Sequence, residues 1–175
     1  MALGRADGTT VVSTVDSENM RQSVQLPVAT EKFLDDNGLT FRDIGAIGVV
    51  VGPGSFTGIR VGIAYAKGLA IGLDIPVIPI NAFEVYLAAN PDAFVAIDSH
   101  RGDFFVAAAD LNPCMMAIDT IETDQMKYAK TVGHNPFDMA DALSVVNNKL
   151  SQIAKGAAPE SAIPLYMRPH YAEKD

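Results

Sequence analysis

Hydrophobic positions along this chain change period several times, and the changes mark out alternating strands and helices. The β-branched run Thr9-Thr10-Val11-Val12-Ser13-Thr14-Val15, entered through the turn pair Asp7-Gly8, predicts a strand, with Ala2-Leu3 as the stub of its hairpin partner. From Gln22 to Asn37 the spacing becomes helical: Leu26, Ala29, Thr30, Phe33 and Leu34 form one face, and Gly38 is placed to end it. Thr40 caps a short turn through Asp43. Ile44 to Val51 then runs almost continuously apolar, the pattern of a strand covered on both faces.

This strand leads into Gly52-Pro53-Gly54-Ser55-Phe56-Thr57-Gly58-Ile59-Arg60-Val61-Gly62, a tight turn followed by a helix from Thr57 or Gly58 to Leu73. Within that helix Gly58, Gly62, Ala66 and Ala70 recur every fourth residue, with Gly68 and Gly72 beside them, so one stripe has almost no side-chain bulk. Each glycine costs roughly 1 kcal/mol of helix propensity relative to alanine, a cost offset when another backbone approaches closely. Two uses of the stripe stay open: packing against the chain's own sheet or a neighbouring helix, and a subunit interface.

Further along, Val77-Ile78-Pro79-Ile80 predicts a short strand at an edge or strand end, and Asn81 caps a helix from Ala82 to Ala89. Phe94 to Asp98 and Phe104 to Ala109 form a hairpin with the polar tip Ser99-His100-Arg101-Gly102-Asp103. Beyond Asn112 the pattern weakens, with a strand expected from Met115 to Ile118, a helix starting between Thr123 and Tyr128, and a helix from Phe137 to Leu150. The break at Asn90-Pro91-Asp92 divides an N-terminal lobe, residues 1–90, from a second, reduced lobe with a C-terminal tail, residues 91–175. Strand-turn-strand segments joined by crossover helices predict a small α/β protein with a mixed sheet.

A formal net charge of −8 repels polyphosphates on average, so this chain is not expected to grip nucleic acid by itself. Cys114 is the sole cysteine, which excludes an intrachain disulfide and fits a reducing compartment. No apolar run is long enough for a signal peptide or a bilayer span, and a cytoplasmic location with no membrane contact is the expectation.

The glycine-rich loop offers backbone amides and the hydroxyls of Ser55 and Thr57 near a helix start, an anion-friendly arrangement, but it lacks the Lys-Ser/Thr ending of a P-loop. Arg60 suits either an anion or an acidic partner. His100, His134 and His170 lie far apart with no His-x-x-x-His pair, and no Ser/His/Asp set can be assembled from local motifs.

The run from Gly52 to Gly62, followed by Ala66-Lys67-Gly68-Leu69-Ala70 and Ile75-Pro76-Val77, resembles the signature of the TsaB (YeaZ) family. The hairpin from Ala96 to Phe105 and the tail Pro164-Leu165-Tyr166-Met167-Arg168-Pro169 resemble two further motifs of that family, in the same order. The resemblance implies an actin-like ATPase fold of the Hsp70/sugar-kinase superfamily, ribonuclease H-like and degenerate, without catalytic residues. It further implies a noncatalytic partner of TsaD in N6-threonylcarbamoylation of adenosine 37 of tRNA. ATP and metal are expected on the TsaD-like subunit rather than on this chain, a TsaE-like ATPase joins the assembly, and tRNA is met only through the complex.

On this resemblance the helices of the first lobe contact TsaD, and similar surfaces make homodimers. The expected interface residues are Gly58, Arg60, Gly62, Ile63, Ala66, Lys67 and Ala70, with Gly52, Pro53, Gly54, Ser55 and Thr57 forming a structural loop. Against the family pattern, Met1 to Gly8 matches the start of the second strand, so the family's opening strand is expected to be missing. The competing expectations are a stand-alone nucleotide-binding kinase or ATPase of the same fold, and a homodimeric scaffold.

Overall fold

The structure, a computed structural model, describes residues 1–4, 10–12, 22–125, 127–128 and 130–167. Strand β1 (Ala2–Gly4) pairs antiparallel with β2 (Thr10–Val12), Leu3 opposite Val11, as the β-branched run predicts. The predicted continuation of that strand, Ser13 to Val15, lies outside the described residues. Helix α1 (Gln22–Asp35) follows, and Gly38 beyond its end takes a positive φ of 68°.

Strand β3 (Ile47–Gly52) and strand β4 (Val77–Asn81) form a parallel pair, Ile47 opposite Val77 and Val50 opposite Ile80, joined by helix α2 (Phe56–Leu73). Side chains alternate across a strand. Val49 and Val51 accordingly pack with Ile59 and Ile63 of α2, while Val50 on the opposite face joins Ile78, Ile80, Val85 and Val146. With both faces covered, the run has no polar position to spare, which explains its unbroken apolar character. Residues 44–46, included in the predicted strand, instead lead into it from a 3₁₀ turn at Phe41–Asp43.

Helix α3 (Ala82–Ala89) begins where predicted, because Asn81 accepts from the Phe83 amide at 2.9 Å and Glu84 accepts from the Asn81 amide at 3.2 Å. In the second half, β5 (Phe94–Asp98), β6 (Asp103–Ala108), β7 (Leu111–Ala117) and β8 (Thr131–Val132) make a sheet of order β7-β6-β5-β8. β5, β6 and β7 run antiparallel and β8 lies parallel to β5. Helix α4 (Ile118–Gln125) starts immediately after β7, earlier than predicted, and β8 is too short to leave a periodic signal.

Helix α5 (Met139–Ala154) is capped by Asp138, whose side chain accepts from the Ala140 amide at 2.8 Å, and is longer at its C-terminal end than the pattern indicates. It packs against α3, β4 and β1, with Val146 and Ala142 inside the cluster formed by Ile78, Ile80 and Val85. The chain then returns as an extended strap over the first half. Among the described residues no helix is long and apolar enough to cross a membrane.

Candidate functional site

The turn between β3 and α2 is built from conformations only glycine adopts easily. Gly52 has φ of 124° and Gly54 of 154°, and a Cβ on Gly52 would meet the Leu165 carbonyl oxygen at 3.2 Å and Cδ1 of Ile59 at 3.3 Å. Gly52 and Pro53 are buried, whereas Gly54, Ser55 and Thr57 are exposed. Ser55 caps α2: its hydroxyl accepts from the Gly58 amide at 3.3 Å and its carbonyl from the Ile59 amide at 2.9 Å. One first-turn donor that an anion would need, the Gly58 amide, is therefore already engaged, and Ile59 and Leu165 fill the space beside Gly52.

Helix α2 presents two faces, and the small-residue stripe lies on the inner one. Ile63, Ala66 and Ala70 are buried, and a Cβ on Gly62 would reach Cγ2 of Val49 at only 3.9 Å. These four residues, expected at a partner interface, instead face inward, with Gly62 and Ile63 against Val49 and Val51 of β3. Gly58 is half-buried, and of the expected set only Arg60 and Lys67 face outward. The outer face consists of Thr57, Arg60, Ala64, Lys67, Gly68, Ile71 and Gly72, all exposed. Ile71 is 83% exposed, and nothing lies within 4 Å of a Cβ built on Gly68 or Gly72. Sequence reasoning missed Ala64 and Ile71; the spacing Ala64, Gly68, Gly72 was the available signal for a second small stripe.

The strap that follows α5 closes over the carboxyl ends of β3 and β4. Its Leu165 amide donates to the Val51 carbonyl at 2.8 Å, and Ala162 is buried among Val51 and Ile63. Tyr166 receives a hydrogen bond from Arg60 Nε at 2.8 Å, and the guanidinium carbon of Arg60 sits 3.9 Å from the centroid of the Phe56 ring and 5.3 Å from that of Tyr166. At the strap's other end Lys149 donates to Glu160 at 3.0 Å, to the Pro79 carbonyl at 3.0 Å and to Glu84 at 3.3 Å. Burial by itself would lower the Lys149 pKa, but the hydrogen bonds and charges of Glu84 and Glu160 outweigh it and hold the pKa above the ordinary lysine value. Between the two fastenings lies a cleft of about 270 Å³ bordered by Val51, Asn81, Glu84, Lys149, Ile163 and Pro164.

A family model described as TsaD, tRNA N6-adenosine threonylcarbamoyltransferase, matches residues 17–111, more than half of the chain. The chain is 42% identical over 88 residues to a Haemophilus influenzae protein named tRNA threonylcarbamoyladenosine biosynthesis protein TsaB, covering 46% of this chain and 36% of that protein. It is 34% identical over 110 residues to the Bacillus subtilis protein of the same name, covering 60% of this chain and 47% of that protein. The chain belongs to the TsaB/YeaZ family.

Similarity to the catalytic branch is also present: a Clostridium perfringens protein named tRNA N6-adenosine threonylcarbamoyltransferase is 42% identical over 80 residues, 46% of this chain and 23% of that protein. The chain spans about a third to a half of the length of the TsaB relatives it matches. Two solved structures share its fold at 18% identity. YeaZ from Pseudomonas aeruginosa superposes with a TM-score of 0.72 over 94% of this chain and 92% of that one. A protein described as uncharacterized with similarity to peptidase YeaZ, also from P. aeruginosa, superposes with a TM-score of 0.75 over 95% and 93%. The expected actin-like α/β fold is borne out.

Other candidate chemistry in this TsaB/YeaZ chain is dispersed. His100 occupies the exposed hairpin tip with φ of 59°, its amide donating to Asp98 at 2.7 Å; His134 is exposed elsewhere, and His170 lies outside the described residues. Cys114 is a half-buried residue of β7 packed beside Val106. Among the described residues no three His, Cys, Asp or Glu side chains come together as a metal site.

Proposed function

We propose that this chain is a noncatalytic subunit in tRNA threonylcarbamoyladenosine biosynthesis, docking onto a TsaD-like catalytic subunit through the outer face of α2 and the neighbouring α1. The observation that carries this is the exposed apolar surface of these helices: Ile71 at 83%, Val28 at 64% and Val24 at 58%. Burying one such side chain at an interface is worth about 1.5–3 kcal/mol, whereas leaving it in water gains nothing for the isolated chain. The TsaB-named relatives support the pathway. The plugged glycine loop, with Ser55 engaged in capping, favours a protein-facing role over a stand-alone kinase or ATPase. In this scheme ATP and metal belong to the partner, a TsaE-like ATPase joins the assembly, and tRNA is reached only through the complex. The same outer face would sustain a homodimer when the partner is absent.

Co-purification with the TsaD-like protein of the same cell, read as mass in solution, is the test. A stable 1:1 or 2:2 complex that Ile71→Asp abolishes, with the variant still folded by circular dichroism, is expected. Absence of a complex at micromolar concentrations refutes the proposal.

A further inference from the structure

The outer face of α2 has a charge pattern at odds with the rest of the chain. The protein carries 21 acidic residues against 13 lysines and arginines, yet the 18 residues of α2 include Arg60 and Lys67 and no Asp or Glu. Both cations are exposed, and none of the described carboxylates pairs with either. Seven residues of helix place them two turns apart on one side, about 10 Å along the axis, with Ala64 between them and Ile71 one turn beyond.

Arg60 is also held ready. Its guanidinium lies over Phe56 at 3.9 Å and is fixed at its edge by Tyr166, which takes the Nε hydrogen at 2.8 Å. One of five N–H groups is used there. The four on the terminal nitrogens, which can form a two-pronged contact with a carboxylate, have no partner among the described residues. A flexible arginine loses side-chain entropy on binding, whereas one already stacked on a ring and hydrogen-bonded at Nε loses less. Isolated exposed cations usually contribute little, but an immobilised arginine beside an apolar contact has the makings of an interface anchor.

We propose that the outer face of α2 docks an acidic protein surface presenting two carboxylates about 10 Å apart, the first gripped by Arg60 and the second by Lys67. This rests on the subunit role above, the partner being the TsaD-like protein, and names the chemistry its contact surface must carry. Two cations on the same face as Ile71, on a chain of net charge −8, suit discrete carboxylates near an apolar contact better than a continuous phosphate backbone. Tyr166 touches no partner group in this arrangement; it positions Arg60 from the strap.

The test is the affinity of the full chain for the TsaD-like subunit at two salt concentrations, with circular dichroism on every variant. Arg60→Met is expected to weaken binding at least tenfold, and Arg60→Lys nearly as much, because the ammonium has neither the fork nor the stacking plane. Lys67→Met and Tyr166→Phe are each expected to weaken it three- to tenfold, and raised salt should weaken the wild type more than Arg60→Met. Arg60→Glu should be rescued by reversing one acidic residue on the partner. A wild-type chain that does not bind overturns the subunit role together with this inference. A wild type that binds while Arg60→Met and Arg60→Lys stay within twofold overturns this inference alone. So does normal protein binding by Arg60→Met with reduced tRNA retention, which would assign Arg60 to a phosphate.

Discussion

Gly48 of β3 lies directly against Val146 of helix α5. A Cβ built there would overlap Cγ2 of Val146 and approach its Cγ1 at 3.5 Å, and Val146 is itself 7% exposed inside the cluster with Ile78, Ile80 and Val85. Gly48→Ala should therefore force Val146 off its rotamer or push α5 away, costing about 1–3 kcal/mol. The lower entropy of the unfolded chain offsets only about 0.4–1 kcal/mol of this. Val146→Ala alone removes two buried methyl groups and leaves a void, a loss of roughly 1–2.5 kcal/mol. In the double variant the new methyl group enters the space that Val146 vacates, so the two losses should not add. A coupling of at least about 1 kcal/mol is expected. Urea unfolding followed by circular dichroism, on wild type, both single variants and the double, measures it. If Gly48→Ala is neutral or stabilising, or the two changes add to within about 0.5 kcal/mol, the close packing of α5 on β3 is refuted.

Gly62 tests which face of α2 is inward. With 3.9 Å to Val49, Gly62→Ala should fit and gain up to about 1 kcal/mol of helix propensity, whereas Gly62→Leu should lose about 1–3 kcal/mol by lifting the helix off β3; a stable Gly62→Leu chain that fails only in partner binding would contradict this. Lys149 should shape the alkaline limb of stability. Its folded pKa is raised, so its contribution is complete below the unfolded value of about 10.4 and is lost as pH rises through the higher folded value. Buried Tyr86, its pKa also raised, is lost in the same direction, so stability against pH for wild type minus Lys149→Met isolates the lysine; a difference independent of pH above 10 would refute the assignment.

Most of the secondary structure was legible because its signals are local. Asn81 with Glu84 marks the start of α3 through side-chain caps, and the unbroken apolar run into Gly52 marks a strand buried on both sides. What escaped the sequence depends on distant contacts. Both faces of α2 carry small residues, and Arg60 and Lys67 alone mark the outer one, a polar side too sparse to stand out. The burial of Ile63, Ala66 and Ala70 and the approach of Gly62 to Val49 decide it. Likewise Tyr166 meets Arg60 across 106 residues, and Lys149 meets Glu84 across 65, pairings that no spacing rule reveals. Thr131 and Val132 favour extended chain, but two residues are too few to leave a periodic signal, and it is the edge of β5 that makes them a strand.

The Arg60 to Tyr166 contact also sets an order in time. On the ribosome Arg60 is made 106 residues before its clamp, a delay of about 5–20 s at ordinary rates of synthesis. Throughout that interval α2 can fold against β3 while its outer arginine has Phe56 to stack on but lacks the Tyr166 bond. The helix is thus shaped early and armed late, and a nascent chain halted before Tyr166 would present the apolar contact without the anchored charge that gives it selectivity.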